Sequence, residues 1–286
     1  MKRPKFIKKI KPLLKLSEFP PIVSVLRLHG VIGQVGPSKK GLTLESLDED
    51  IQKAFSYSRL KAVVLDINSP GGSPVQSSLI YRRIREHAEK KKVPVYSFAS
   101  EVAASGGYWL ACAGEEIYAE DASIVGSIGV VSSGFGLEGL IKKLGIERRI
   151  HTAGKSKSIL DPFKKETAED IAHLKSLQQS IHDSFVELVE NARKDKLNQE
   201  IKNEIFSGAF WTGRQAVDMG LVDKIGELHI VMKEKFGDNV DIRIVNPAKK
   251  TKAWQVFSSK QEQQLMFAKN ILHVVEEEIL WDKFRL

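Results

Sequence analysis

The sequence predicts an α/β fold organised around a parallel sheet. Three observations carry that expectation: short apolar runs rich in β-branched residues, helical periodicities between them, and Gly- or Pro-containing turns at the junctions. Strands that alternate with helices imply right-handed crossovers, and such crossovers build parallel sheets. With 286 residues and 42% hydrophobic content, the chain suits one sizeable domain with appendages.

The elements follow in order. After Pro20-Pro21, residues 22–28 read as a first strand that ends in the turn-rich stretch 30–41. Ser46-Leu47-Asp48-Glu49 fits a capping box opening a helix whose apolar face is Leu47, Ile51, Ala54 and Phe55. Residues 61–67 form a largely apolar strand of the kind buried on both faces. The unit repeats with a turn at 68–74, a helix from Val75 that turns Leu79, Ile80 and Ile84 inward, a strand at 93–99 and a helix over 103–113. Strands near 116–119, 127–132 and 146–152 continue the pattern, with a helix over 135–144 between the last two. From 164 to 194 the chain is helical, with an apolar stripe of Leu174, Leu177, Ile181, Phe185, Leu188 and Val189 that predicts a helical layer on the sheet. Thr212 caps a helix through Met219, residues 241–245 are a last strand, and 249–252 link to an amphipathic helix over roughly 258–281. That helix presents Leu265, Phe267, Ile271, Val274, Val275 and Leu280, and is expected to pack on a neighbouring chain.

The net charge of +8 belongs to one segment. Residues 1–15 carry Lys2, Arg3, Lys5, Lys8, Lys9, Lys11 and Lys15 and no acid, so the remaining chain is close to neutral. No basic domain face for nucleic acid follows from that distribution. The arm interleaves Phe6, Ile7, Ile10, Leu13 and Leu14 with its lysines, and reads as a membrane-surface segment or a solvated tail. No stretch reaches the roughly 18 uninterrupted apolar residues of a spanning helix, and no apolar h-region with a cleavage site follows the basic start. The expected location is cytoplasmic or peripheral on a membrane. The single cysteine, Cys112, excludes an intramolecular disulfide framework and a multi-cysteine metal site.

Three segments carry candidate chemistry. Asn68-Ser69-Pro70-Gly71-Gly72-Ser73 lies at the carboxyl end of a strand before a helix, where α/β ligand sites sit. Its glycines let the backbone approach a substrate, and their N–H groups can hydrogen-bond a developing oxyanion; a plain tight turn is the alternative. One strand further, Ala103-Ala104-Ser105-Gly106-Gly107-Tyr108 frames a serine with small residues. That framing opens the hydroxyl and lets the Gly106 N–H face the same carbonyl as the Gly72 N–H, although close helix packing would use the same residues. Thr152-Ala153-Gly154-Lys155-Ser156-Lys157-Ser158 supplies lysines. Serine needs a base, and lysine serves only where desolvation or nearby positive charge lowers its pKa; elsewhere it is a surface charge.

Together these segments resemble peptidase family S49, the signal-peptide-peptidase A kind (SppA/SohB), from about residue 22 to residue 226. The resemblance rests on Ile67-Asn68-Ser69-Pro70-Gly71-Gly72-Ser73-Pro74, Val102-Ala103-Ala104-Ser105-Gly106-Gly107-Tyr108-Trp109, Val125-Gly126-Ser127-Ile128-Gly129-Val130, Thr152-Ala153-Gly154, Leu160-Asp161-Pro162-Phe163 and Thr212-Gly213-Arg214-Gln215-Ala216, in that order. It implies a ClpP/crotonase-like spiral of βα units and a serine endopeptidase without metal or organic cofactor. Ser105 would be the nucleophile, Lys157 the general base, Gly72 and Gly106 the oxyanion-hole donors, and Ser127 the residue that orients the lysine. The resemblance also implies a homo-oligomeric ring, in which serine and lysine sometimes come from adjacent subunits, and peptide substrates such as signal-peptide remnants. On that basis the chain divides into a basic arm over 1–21, a peptidase domain over 22–248 and a helical extension over 249–286.

Some residues depart from the family pattern. Lys155 stands two before the base, where relatives commonly carry an acid, and so competes with Lys157 for the role; only Lys157 keeps the spacing to Leu160-Asp161-Pro162-Phe163. Asp66 takes a place that is usually apolar or basic. Gly134-Phe135-Gly136-Leu137-Glu138-Gly139 matches a dinucleotide fingerprint, but the next expected strand ends at Thr152 rather than in an acid, and the match reads as a turn plus a helix start. His151, the histidine nearest a motif, reads as structural. Two other classes share the fold: a crotonase-type acyl-CoA hydratase or isomerase, which needs the glycine N–H pair and no serine, and a catalytically inactive ring-forming scaffold.

Overall fold

The computed structural model describes residues 19–34, 41–246, 281 and 284. The basic arm and nearly all of the expected helix over 258–281 lie outside the described residues.

The first strand, β1 (Ile22–His29), is followed by α1 (Leu44–Ala54). Thr43 caps that helix, three residues earlier than the sequence suggests: its hydroxyl accepts from the Ser46 N–H, and the Ser46 hydroxyl accepts in return from the Thr43 N–H, so Ser46 is the far corner of the box. Next come β2 (Leu60–Ser69), α2 (Pro74–Lys91) with Ser73 as its cap, β3 (Val95–Ala104), α3 (Gly106–Ala111), β4 (Glu116–Ala119) and β5 (Ile124–Gly126). The second half contains α4 (Glu138–Lys143), the long α5 (Ala168–Arg193), α6 (Lys202–Ile205), β6 (Phe210–Thr212), α7 (Gly213–Asp218), β7 (Lys224–Ile225), α8 (Leu228–Phe236) and β8 (Asp241–Ile244).

The main path of the sheet runs β6-β5-β3-β2-β1-β8, with β4 on the first half of β3 and β7 on β4. Every pairing is parallel except β5 with β6. Both faces are covered. Leu26, Leu28, Leu65, Ile67, Ala99 and Ala103 face α1 and α2, where they meet Ile51, Ile80 and Ile84. On the other face, Val23, Val25, Ala62, Val64 and Phe98 pack on Val231 and Met232 of α8. This explains the near-continuous apolar character of β1 and β2.

Five expectations are corrected. The helix expected over 103–113 is half strand: β3 continues through Ala104, and a positive φ at Ser105 breaks the chain before α3 begins. The strand expected at 127–132 is the shorter, earlier β5, which ends at Gly126 because Ser127 takes a positive φ of 53°. No strand forms at 146–152: Ile146 and Ile150 are exposed, and without a neighbouring strand a ladder has no partner groups. The helix expected over 135–144 shrinks to α4, which buries no residue. Only part of α5 forms the expected layer, since Phe185 and Val189 are buried while Leu177 and Ile181 are exposed.

Candidate active site

Two glycine-rich turns, one after β2 and one after β3, lie against each other at the carboxyl ends of the strands. A Cβ on Gly71 would stand 2.8 Å from both the Gly106 nitrogen and the Ser105 Cβ, and one on Gly106 would stand 2.5 Å from the Ser77 hydroxyl of α2. Glycine alone permits that approach.

Ser105 occupies the bend between β3 and α3 with φ 52° and ψ −122°. A non-glycine residue held there is strained by about 1–3 kcal/mol, and two bonds hold it. Its N–H donates to the Gly126 carbonyl at 2.8 Å, and its carbonyl accepts from the Trp109 N–H at 3.0 Å. Such a sharp strand-to-helix turn pushes the side chain out of the sheet. Accordingly Ser105 is half-buried while Ala103, Ala104, Gly106 and Gly107 are buried. Behind it, Trp109 packs on Phe185 of α5 with ring centroids 4.8 Å apart, and the Tyr108 hydroxyl donates to the Leu221 carbonyl at 2.8 Å.

Gly72 forms a parallel bridge with Ile32: the Ile32 N–H donates to the Gly71 carbonyl and the Ser73 N–H to the Ile32 carbonyl, each at 2.8 Å. In that arrangement the N–H of Gly72 points away from Ile32, and it has no acceptor among the described residues. Gly106 opens α3, so its N–H has no helical acceptor, and it too is unpaired among the described residues. Ser127 follows Gly126, the register partner of Ala104, and so lies beside Ser105 along the sheet. It is buried with φ 53°, its N–H donates to the Ala209 carbonyl at 2.7 Å, and its hydroxyl has no partner among the described residues.

No side-chain bond joins Lys157 to this group among the described residues. Its side chain is exposed, and among the described residues it makes no hydrogen bond or ion pair, to Ser105 or to any other group. The segment that carries it is fastened to itself instead. The Asp161 carboxylate accepts from Arg148 and from the Phe163 N–H, each at 3.1 Å, and the Pro162 carbonyl accepts from the Leu137 N–H at 2.6 Å. Lys155 pairs with Glu169 at 2.9 Å, near the start of α5. His151 is exposed, and Gly134, Gly136 and Gly139 have open space where a Cβ would go, so nothing in the turn resembles a close-approach phosphate loop.

Sequence reasoning left Asp66 without a role, and the structure gives it one. On β2 it sits beside Arg27 of β1, whose guanidinium is 3.4 Å away, with the His29 Nε2 at 3.1 Å and a hydrogen bond from the Ser100 hydroxyl. Burial pushes its carboxyl up, but the bonds from His29 and Ser100 and the charges of His29 and Arg27 outweigh it and hold the pKa below the usual carboxylate range. Parallel register pairs Arg27 with Asp66, which one sequence does not reveal. Among the described residues no group of three His, Cys, Asp or Glu could hold a metal ion.

Comparison with known proteins bears on this geometry. The sequence model described as Peptidase family S49 matches residues 87–239. A Brucella abortus protein named Na(+)/H(+) antiporter NhaA is 43% identical over 273 residues, which is 92% of this chain and 37% of that protein. A putative signal peptide peptidase SppA of Enterococcus faecium is 31% identical over 205 residues, 70% of this chain and 59% of that protein. The chain thus spans less than two thirds of either relative. No described helix here is long and apolar enough to cross a membrane. Among solved structures, a membrane-bound stomatin-specific protease, as a serine-to-alanine mutant, matches with a TM-score of 0.51 at 16% identity, over 80% of this chain and 99% of that one. That likeness concerns the fold, which is the ClpP-like α/β spiral.

Proposed function

Because the chain belongs to peptidase family S49, we propose that it is a serine endopeptidase in which Ser105 is the nucleophile and Lys157 its general base. The observation that carries the reading is the strained bend at Ser105, with the unpaired N–H groups of Gly72 and Gly106 in the turns packed beside it. A hydroxyl at a strained strand-to-helix turn is open to attack a carbonyl, and two N–H donors without acceptors are preorganised for the charge that develops on the carbonyl oxygen. Lys157 takes the Ser105 proton, the alkoxide adds to a peptide carbonyl, and the Gly72 and Gly106 N–H groups hold the tetrahedral oxyanion. The amine leaves with the proton from the lysine, and the acyl-enzyme remains. The same lysine then activates water, which releases the acyl product and restores Ser105.

An exposed lysine is a poor base, because only the desolvated, neutral amine has a lone pair to accept the proton. A second copy of the chain supplies that burial in this proposal. The segment bearing Lys157 also exposes Val131, Phe135, Leu140, Leu144, Ile146 and Ile150. Large apolar side chains left exposed over one stretch of chain mark an interaction surface. In a homo-oligomeric ring this segment of one subunit would bring Lys157 to Ser105 of the next, with Ser127 orienting the amine. Lys155 is the weaker candidate, since Glu169 already holds it. Substrates would be unstructured peptides, including membrane-derived remnants, with residues 1–15 as a peripheral membrane contact.

Fluorophosphonate labelling and peptide cleavage by the wild type, Ser105→Ala, Lys157→Ala and Lys155→Ala test the assignment. Loss of both in Ser105→Ala and Lys157→Ala, with retention in Lys155→Ala, is expected. Labelling that persists in Ser105→Ala would overturn the nucleophile and reopen the acyl-CoA and scaffold readings.

A further inference from the structure

One face of α5 reaches the segments that carry Ser105 and Ser127. His182, Phe185, Val189 and Arg193 follow one another at helical spacing, and the last three are buried. Phe185 packs on Trp109, whose N–H closes the bend by donating to the Ser105 carbonyl. One turn nearer the start of the helix, the His182 Nε2 lies 3.2 Å from the Ile128 carbonyl oxygen. A carbonyl only accepts, so Nε2 carries the proton and donates it.

Ile128 is buried and follows Ser127, which is held at φ 53° much as Ser105 is held at 52°. A side chain at that φ is strained, and the turn persists only where its neighbours overdetermine it. Two bonds bracket it. On one side the Ser127 N–H donates to the Ala209 carbonyl at 2.7 Å, just before β6; on the other, the Ile128 carbonyl accepts from His182. Gly129 then passes so close to Gly208 that a Cβ on it would stand 2.9 Å from the Gly208 Cα. Beside that contact a cleft of about 300 Å³ opens among Gly129, Val130, Lys175, Gln178, His182 and Ser207. With open space there, the turn is free to shift once the His182 bond is lost.

We propose that His182 is a positioning residue whose Nε2–H, through the Ile128 carbonyl, sets the Ser127 turn and with it the direction of the Ser127 hydroxyl. Phe185, on the same face of α5, backs the Ser105 bend, so one helix ties the two serines to each other. His182 acts through Ser127 and transfers no proton itself. The setting of the turn stands without the peptidase reading; its consequence for catalysis, a Ser127 hydroxyl aimed at the amine of the base, rests on that reading.

His182→Phe keeps a ring but removes the donor, whereas His182→Gln restores a side-chain N–H at similar reach. Amide hydrogen exchange at Ser127 reads the turn itself: exchange about tenfold faster in His182→Phe, and close to wild type in His182→Gln, is expected from the loss and return of one hydrogen bond. The fluorophosphonate labelling rate should fall about tenfold in His182→Phe and recover in His182→Gln. In a Ser127→Ala background His182→Phe should cost nothing further, because the two act as a unit. Unchanged exchange in His182→Phe, equal exchange in both variants, or labelling losses that add in the double variant would overturn the positioning role. The unaltered chain gives a reading that no misfolded variant can spoil: ¹⁵N shifts of the neutral His182 ring should show the proton on Nε2, and a proton on Nδ1 alone would overturn the bond. The two proposals fail separately. A wild type that protects the Ser127 amide yet takes no label at Ser105 contradicts the peptidase reading alone, and a His182→Phe chain that labels at the wild-type rate contradicts the positioning role.

Discussion

The Ser105 N–H donates to the Gly126 carbonyl at 2.8 Å, and this bond holds the strained bend of β3 against the end of β5. The chain on the β5 side is itself constrained. Gly126 has φ 110°, and a Cβ there would stand 2.7 Å from the Trp211 ring, so β6 fixes the carbonyl that fixes the serine.

Ser105→Gly should separate strain from chemistry. Glycine accepts positive φ without the penalty a side chain meets there, so the variant should lose fluorophosphonate labelling while its thermal midpoint stays level or rises. Ser105→Ala should lose labelling equally and keep the strain. A large drop in the midpoint of Ser105→Gly would contradict the strained-bend account.

Gly72→Ala should damage the site and the fold together. Its Cβ would lie 2.0 Å from the Ile32 carbonyl oxygen, at φ 139°. Backbone must move, and a cost above about 2 kcal/mol is expected in denaturant unfolding. Labelling should fall with it, because the N–H aimed at the oxyanion moves too.

Two ends of one fold were unequally legible. The β2 run, the Gly71-Gly72 turn and Ser105 were readable because burial on both faces and close backbone approach demand those residue types locally. Residues 146–152 place only Ile146 and Ile150 among polar and charged side chains, and a strand there needs a partner that the described residues of one copy do not provide. Lys157 could be singled out by its spacing to Leu160-Asp161-Pro162-Phe163, whereas its exposure depends on how the whole segment leaves the body. The bond from His182 to the Ile128 carbonyl was hidden for a related reason: it joins residues 54 apart in the chain, which leaves no local pattern.

Arg193 and Asp223 offer a test of the scaffold behind the site. Arg193 is 1% exposed, donates to Asp223 at 2.8 Å, and packs beneath Tyr108 and Cys112. Burial pushes the Asp223 carboxyl up, and bonds from Arg193, Lys196 and the Ile117 N–H hold it below its usual range. Asp223→Ala strands a buried guanidinium and should cost about 3–5 kcal/mol in urea unfolding. Cys112, pushed up to about 12 chiefly by burial, should resist alkylation in the folded chain.

Asp66 predicts a pH dependence of stability. Its folded pKa lies below its unfolded one, so it contributes stability above the unfolded pKa, and that contribution is lost as pH falls through the folded pKa. Asp66→Asn should therefore lower stability at about pH 7, with a gap that narrows as the solution passes below the carboxylate range near pH 4. Urea unfolding of both chains across that range gives the comparison, and a gap that widens toward acid would contradict it.

A Ser105–Lys157 dyad built between neighbouring copies can be reconstituted by mixing two inactive variants. Ser105→Ala and Lys157→Ala are each treated with fluorophosphonate alone, then co-assembled and treated again. Neither variant alone should label, and in the mixture the Lys157→Ala chain should be labelled at Ser105, activated by Lys157 of its neighbour. A mixture as inert as its components, while wild type labels fully, would contradict a dyad shared across copies.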